Sequence, residues 1–274
     1  MIHKLHKHAT ILQRRMGQPA TLRRMRALRH PVMDVVLDSL EAAPRTEQPP
    51  ARQAAFDRCE AYRAELLGNH ETVDYTVFNL SETATVSSVC QQASSPPTWA
   101  RFLYLLADGL AAERVLEMGT NLGVSGSYLL EALKQRPGAT LTTMDGVPKY
   151  VAISGRQFAR ITSPDQFEII EGNYDHTFPR LLERQPDFDL LFIDGNHRHD
   201  PTLQYFHGLL PTVRRPSVWV FDDINWTPGM VKAWDTIRNH PAVTYSIDLW
   251  KLGIVIVDDS EPVGERHFGL HLAY

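Results

Sequence analysis

The stretch Val115-Leu-Glu-Met-Gly-Thr-Asn-Leu-Gly-Val-Ser125 decides the fold. Its apolar start predicts a short buried strand over 114–118, and a helix is predicted over about 124–135. Glycines in the turn between them let the backbone approach a ligand, and the helix N-terminus adds unpaired N–H groups. The acidic Glu117 would repel a pyrophosphate, so the segment favours a ligand with a positive end over a dinucleotide. A plain turn from strand to helix is the alternative interpretation.

Outward from this stretch, apolar segments of strand length alternate with helical patterns. The predicted strands that follow are residues 139–145, 166–171, 189–194, 217–222, 243–249 and 252–257. Strands that alternate with helices indicate an α/β fold with a parallel sheet covered by helices on both faces. Only Trp250-Lys251 separates the last two strands. That connection is too short for a crossover helix, so the pair is expected to be antiparallel.

The first part of the chain is predicted to be helical. Apolar residues at 33–40 recur at the spacing of one helix face, and a second helical pattern covers 51–67. Ser94-Ser-Pro-Pro97 marks a boundary. We therefore expect a helical N-terminal extension over 1–95 and one main domain over 96–274. The extension is expected to cover the acceptor site or to form the interface of a homodimer.

Composition narrows the class of protein. The 274 residues carry a net charge of −4, with 43% hydrophobic residues, as is usual for a globular protein. The charge is about +5 over residues 1–50 and about −9 over the remainder by sequence count. An acidic main body argues against nucleic acid as a partner, and no apolar run is long enough to cross a membrane. Two cysteines exclude a four-cysteine zinc site, and the expected location is cytoplasmic.

Polar residues also follow the second and third predicted strands. Asp145 ends the second strand, where an acidic side chain either accepts ribose hydroxyls or caps a turn. Gly172-Asn-Tyr-Asp175 follows the third strand. Ligands of parallel sheets collect outside the carboxyl ends of the strands, so both segments are candidates for the same site.

The segment 115–125, with Asp145 downstream, resembles the cofactor motif of class I S-adenosylmethionine-dependent methyltransferases. The resemblance covers about 98–258 and implies a Rossmann-like, seven-stranded, mostly parallel sheet with an antiparallel last strand. It also implies that Asp145 binds ribose and that Asn173 or Asp175 lies near adenine. The methionine end of S-adenosylmethionine would be held by the motif itself, that is by Glu117, Gly119, Thr120, Gly123 and Ser125.

Two acidic clusters end the fourth and fifth predicted strands. Asp194-Gly-Asn-His197 follows the fourth strand and Asp222-Asp223 follows the fifth. Neighbouring strands that both end in aspartate place these carboxylates side by side. Hard oxygen ligands of this kind suit Mg²⁺ or Ca²⁺, and three adjacent carboxylates without a cation would repel one another. Loop-capping aspartates and a surface histidine are the alternative interpretation.

The arrangement resembles the metal-dependent O-methyltransferases, such as catechol and caffeoyl-CoA O-methyltransferases, and more loosely bacterial natural-product O-methyltransferases. The resemblance implies a divalent cation, with Mg²⁺ favoured, on Asp194, Asp222 and Asp223, and places Asp194 near the cofactor as well. His197 stands where that family has its catalytic lysine, and histidine is a natural general base near neutral pH. Asp223 replaces the family's asparagine, which adds a negative charge and leaves the identity of the metal open.

The implied activity is methyl transfer to a hydroxyl of a small-molecule acceptor. A metal-independent methyltransferase that acts on another acceptor and a non-catalytic, cofactor-binding scaffold are the alternatives. The Asp-Pro-Pro-Tyr type of signature typical of amino-group methyltransferases does not follow the fourth strand. The acceptor itself cannot be read from the sequence.

Overall fold

The computed structural model of the chain describes residues 2–78 and 80–272, with side chains from residue 8 onward. Within these residues the helices in chain order are α1 Ile2–Ala27, α2 Pro31–Ala42, α3 Pro50–Leu67, α4 Val86–Ala93, α5 Pro97–Gly109, α6 Val124–Leu133, α7 Pro148–Ile161, α8 Tyr174–Glu183, α9 His199–Leu209 and α10 Pro228–Arg238. The strands are β1 Thr72–Asp74, β2 Thr83–Thr85, β3 Arg114–Met118, β4 Thr140–Asp145, β5 Phe167–Glu171, β6 Leu190–Ile193, β7 Ser217–Phe221, β8 Val243–Asp248, β9 Gly253–Val257 and β10 His267–Gly269.

The chain divides into two compact units. One unit comprises residues 39–188, and the other comprises residues 2–38 together with 189–272. They are called the glycine-loop unit and the acidic unit below. The boundary at residue 95 that the sequence suggested remains a prediction, and so do the roles proposed for residues 1–95.

The glycine-loop unit contains three parallel strands, because β4 pairs in parallel with both β3 and β5. Gly119 and Thr120 each donate a backbone N–H to the carbonyl of Met144, so the turn after β3 is fixed to the end of β4. Short strands β1 and β2 form a separate antiparallel pair, which the sequence did not predict.

The acidic unit contains five strands within the described residues. β6 and β7 are parallel, whereas β9 is antiparallel to both β7 and β8. Every residue of β6, β7 and β9 is buried, as expected for strands covered on both faces. The short strand β10 adds to β8 in parallel.

The fold class predicted from the sequence is confirmed: the protein is α/β, its strands are mostly parallel, and the second strand of the C-terminal hairpin is antiparallel. All seven predicted strands exist at nearly the predicted bounds. β10 is an additional strand that the sequence pattern did not reveal. Among the described residues, no helix combines the length and apolar character that spanning a bilayer requires.

Candidate functional site

The turn after β3 is shaped by left-handed backbone at its glycines. Gly119 has φ 107° and Gly123 has φ 76°, conformations that side-chain-bearing residues adopt only at a cost. A Cβ added to Gly123 would lie 2.7 Å from Cβ of Ser154 and 3.0 Å from Cε1 of Phe158. Gly123 is therefore required both by its φ angle and by the close approach of α7 to α6.

Glu117 is fully buried beneath this turn. Its Oε1 accepts a hydrogen bond from Ser125 Oγ at 2.6 Å, and its Oε2 accepts one from Thr143 Oγ1 at 2.8 Å. Burial raises the pKa of Glu117 to about 7, although both hydrogen bonds act in the opposite direction. Thr120 is also buried, and its hydroxyl lies 2.6 Å from that of Thr143. These side chains therefore support the turn from below.

Asp145, at the end of β4, joins two loops. Its Oδ2 accepts the backbone N–H of Asn121 at 2.8 Å, and its Oδ1 accepts that of Val147 at 2.8 Å. The side chain is nearly buried, and burial raises its pKa while the backbone hydrogen bonds lower it. Each carboxylate oxygen can accept a second hydrogen bond, so capping the loops and binding a ribose are compatible roles.

Asn173 and Asp175 lie at the beginning of α8. Asn173 is the N-cap of this helix, and its Oδ1 accepts the N–H of Asp175 at 3.0 Å. Both side chains are exposed beyond the end of β5. Their observed role is to begin the helix, and their assignment to adenine remains a prediction.

The acidic residues of the other unit come together as the sequence predicted. Ile193 pairs with Phe221, so Asp194 and Asp222 follow adjacent positions of neighbouring parallel strands. Asp223 has φ 53°, a left-handed backbone conformation in the loop after β7. Burial and the neighbouring Asp222 carboxylate raise the pKa of Asp194 well above its usual range, and the same causes raise the pKa of Asp223.

His197 lies beside the first of these acids. Its Nε2 is 3.5 Å from Oδ1 of Asp194, and its ring meets the indole of Trp226 edge-on at 5.3 Å between centroids. About four fifths of both the His197 and the Asp194 side chains are buried. A histidine held between a carboxylate and an aromatic ring has a fixed orientation, which a general base requires.

Lys251 completes the cluster, and sequence reasoning missed it. Its Nζ lies 3.3 Å from Oδ2 of Asp222 and 3.6 Å from Oδ1 of Asp223. Burial acts to lower the pKa of Lys251, but the acids Asp222, Asp223 and Asp194 outweigh it and raise that pKa. The available signal was its position in the tight connection between β8 and β9, at the same sheet edge as the aspartates.

The predicted metal ligands do not have the arrangement of a metal site. Within residues 8–78 and 80–272, no three acidic, histidine or cysteine side chains are grouped so that they could hold an ion. The ammonium of Lys251 lies between two of the three predicted ligands instead. One buried oxygen, Oδ1 of Asp222, has no hydrogen-bond partner among the described residues. A single such oxygen does not make a cation site.

An open cleft of about 490 Å³ lies in the same unit. Asn225, two residues after Asp223, lines it, together with Trp234 and Val231 of α10 and Asp248 at the end of β8. Charged side chains, among them Lys232, Asp235 and Arg238, line it as well. Trp226, which is 63% exposed, contacts His197 and is not part of the cleft lining.

The comparisons with known proteins agree with this architecture. A family model described as a methyltransferase domain matches residues 116–224. The catechol O-methyltransferase of Niastella koreensis is 28% identical over 170 residues, which is 62% of this chain and 73% of that protein. The catechol O-methyltransferase of Mycobacterium tuberculosis is 32% identical over 45% of this chain and 54% of its own length.

Solved structures show the same fold. An O-methyltransferase from Bacillus cereus in complex with SAH superposes with a TM-score of 0.54 and 18% identity, over 79% of this chain and 94% of that one. An O-methyltransferase of Streptomyces achromogenes involved in tomaymycin synthesis, in complex with SAM, gives a TM-score of 0.52 and 18% identity, over 81% and 96% of the two chains. At such identities the similarity establishes the fold.

Proposed function

We propose that this chain is a class I S-adenosylmethionine-dependent methyltransferase that methylates a hydroxyl group of a small molecule, because a methyltransferase-domain model matches residues 116–224 and its relatives include catechol O-methyltransferases. The observation that carries the proposal is the pair formed by His197 and Asp194 after β6, beside the aspartates that follow β7. A fixed base next to an acidic, partly buried cluster suits removal of a proton from a hydroxyl group.

In this proposal the glycine-loop unit holds the cofactor. The first turn of α6, which follows Gly123 and has no side-chain cap, presents its backbone N–H groups to the methionine end, and Glu117 supports the preceding turn from below. Asp145 uses its remaining lone pairs for the ribose hydroxyls, and Asn173 and Asp175 border the adenine.

The reaction is a displacement at the methyl carbon. His197 takes the proton of the acceptor hydroxyl, and Asp194, 3.5 Å from its Nε2, orients the ring. The acceptor oxygen then forms a bond to the methyl carbon, the carbon–sulfur bond breaks, and its electron pair remains on sulfur. Alignment of oxygen, carbon and sulfur supplies much of the acceleration. The divalent cation that the resemblance implies does not fit these side chains as they lie, so no step passes through it.

The acceptor binds, we propose, in the cleft lined by Asn225, Val231 and Trp234. Val231 and Trp234 give it an apolar side that suits a ring, and the polar groups of Asn225, Asp235 and Asp248 suit hydroxyl substituents on that ring. An aromatic diol is therefore the first acceptor to test. The homodimer and the cytoplasmic location remain predictions.

Two measurements test this function. Titration calorimetry with S-adenosylhomocysteine is expected to show saturable binding to the wild-type chain. Mass spectrometry is then expected to find one methyl group from S-adenosylmethionine on catechol or on another member of a panel of hydroxylated compounds. An absence of binding would contradict membership of the cofactor-dependent class. Binding with methyl transfer only to amines or thiols would contradict the proposed acceptor group.

A further inference from the structure

The charges of the acidic cluster are balanced from within the chain. Asp194, Asp222 and Asp223 bring three carboxyl groups together after β6 and β7, an arrangement that is costly without a cation. The ammonium of Lys251 supplies that cation, at 3.3 Å from Asp222 Oδ2 and 3.6 Å from Asp223 Oδ1. About two thirds of the Lys251 side chain is buried, so solvent screens these ion pairs only in part.

Backbone hydrogen bonds hold Lys251 in a fixed position next to the acidic loop. The carbonyl of Lys251 accepts the N–H of Ile224 at 3.0 Å, and the carbonyl of Trp250 accepts Nδ2 of Asn225 at 2.7 Å. Trp250 has φ 78°, and its N–H donates to Oδ1 of Asp248 at 2.7 Å. The connection between β8 and β9 is therefore bonded directly to the loop that carries Asp222 and Asp223. The ion pairs are a consequence of this attachment rather than of a chance contact by a surface lysine.

An ammonium in this position and a divalent cation exclude one another. Mg²⁺ takes six oxygen ligands at about 2.1 Å in octahedral geometry, and one or two of them are usually carboxylates that contact the ion directly. Two of the three candidate ligands already face Nζ of Lys251, and a cation placed between them would meet a like charge within a few ångströms. The same position lets the ammonium act on a substrate oxygen, since it carries three N–H donors.

We propose that Lys251 takes the place of the divalent cation in this enzyme, so that methyl transfer proceeds without a metal. This inference rests on the proposed function for its catalytic part, in which Lys251 stabilises the acceptor oxygen as its proton leaves for His197. Its structural part stands independently: the carboxylates bind a divalent cation only when the ammonium is removed.

The structural part is tested by metal binding alone. Mn²⁺ is titrated into metal-free protein and followed by electron paramagnetic resonance, for the wild type, Lys251→Ala and Lys251→Arg. The wild type and Lys251→Arg are expected to bind Mn²⁺ at this site weakly or not at all, and Lys251→Ala at least 10-fold more tightly than the wild type. Lys134→Ala is the matched control, because Lys134 also pairs with a carboxylate, at 2.7 Å from Glu131, but in the glycine-loop unit. Its Mn²⁺ affinity is expected to equal that of the wild type.

Tight Mn²⁺ binding by the wild type that Lys251→Ala leaves unchanged or weakens would overturn the inference, whatever the enzyme methylates. A Lys251→Ala chain that is folded, as judged by circular dichroism, and gains no Mn²⁺ affinity would also overturn the inference.

The catalytic part is then tested with the acceptor found in the panel. Turnover by the wild type is expected to be unchanged in EDTA. Turnover by Lys251→Ala is expected to be at least 10-fold lower than that of the wild type and to recover in part when Mg²⁺ is added. Loss of wild-type turnover in EDTA that Mg²⁺ restores would overturn that part.

Discussion

The two acidic regions of the molecule differ in how their charges are satisfied. In the glycine-loop unit, each carboxylate oxygen of Glu117 and Asp145 has its own neutral donor, a hydroxyl or a backbone N–H. In the acidic unit, neighbouring carboxylates share one lysine, and Oδ1 of Asp222 has no partner among the described residues. The first region is organised before any ligand arrives, whereas the second has interactions left to make. In the proposed function, the first region holds the cofactor and the second carries out the reaction.

The largest effect is expected from removing the base of the reactive region. Replacing His197 with Gln should lower kcat by about 100- to 10,000-fold, because glutamine cannot take the hydroxyl proton. The affinity for S-adenosylhomocysteine should stay the same, since the proposal assigns the cofactor to the other unit. Kinetics and calorimetry on the same preparation measure both quantities. The exposed His70→Gln serves as control, and a variant that keeps wild-type kcat would remove His197 from the mechanism.

Two glycines with left-handed backbone, Gly123 and Gly138, test how closely the turn after β3 is packed against α7. Gly123→Ala should lower the free energy of unfolding by about 3 kcal/mol, because backbone strain adds to a clash with α7. Gly138 has φ 81° and no atom within 4 Å of an added Cβ, so Gly138→Ala should cost only about 1 kcal/mol of strain. Urea denaturation measures both values. Equal costs would show that the approach of Ser154 and Phe158 does not constrain the turn.

Glu117 is expected to make the free energy of unfolding depend on pH. Its pKa of about 7 in the folded protein exceeds the ordinary value of 4.5, so the protonated side chain favours folding. This contribution is complete below pH 4.5 and is lost as the pH rises through 7. Between about pH 5 and pH 8 the wild type should therefore lose about 2 kcal/mol of stability relative to Glu117→Gln. Denaturation curves of both proteins at each pH measure the difference in the free energy of unfolding. If that difference did not change with pH, the pKa of Glu117 would not be raised by folding.

The smallest effect is expected at Asp145. Replacement by Asn keeps its shape but turns one acceptor into a donor that faces a backbone N–H, from Asn121 or Val147. A loss of about 1 to 2 kcal/mol in the free energy of unfolding is expected. Asp57→Asn, on the exposed face of α3, is the control and should change stability little. If both variants were as stable as the wild type, Asp145 would not hold the two loops together.

Local patterns in the sequence predicted much of this molecule. Buried strands such as Leu190–Ile193 are continuous apolar runs, and the glycines after β3 mark a turn that only a few residues can form. The aspartates could be placed side by side because they end neighbouring parallel strands. These features depend on residues close together in the chain, or on the register of a regular sheet.

The features that the sequence did not predict depend on distant contacts. Lys251 reaches Asp222 only because β9 lies between β7 and β8, which brings the hairpin turn to the loop after β7. The short strand β10 has three residues and no periodic pattern to reveal it. Asn173 was assigned to ligand binding alone, although its side chain also caps a helix. Charge balance in the acidic cluster could therefore be read only from the structure.

Hydrogen exchange followed by mass spectrometry, with and without S-adenosylhomocysteine, tests the central claim most directly. The claim is that the loops after β3 and β4 hold the cofactor. Peptides covering residues 117–123 and 145–147 are predicted to gain protection when the ligand is added, because a bound molecule stabilises the two loops against local opening. Unchanged exchange in both segments at saturating ligand would contradict the account.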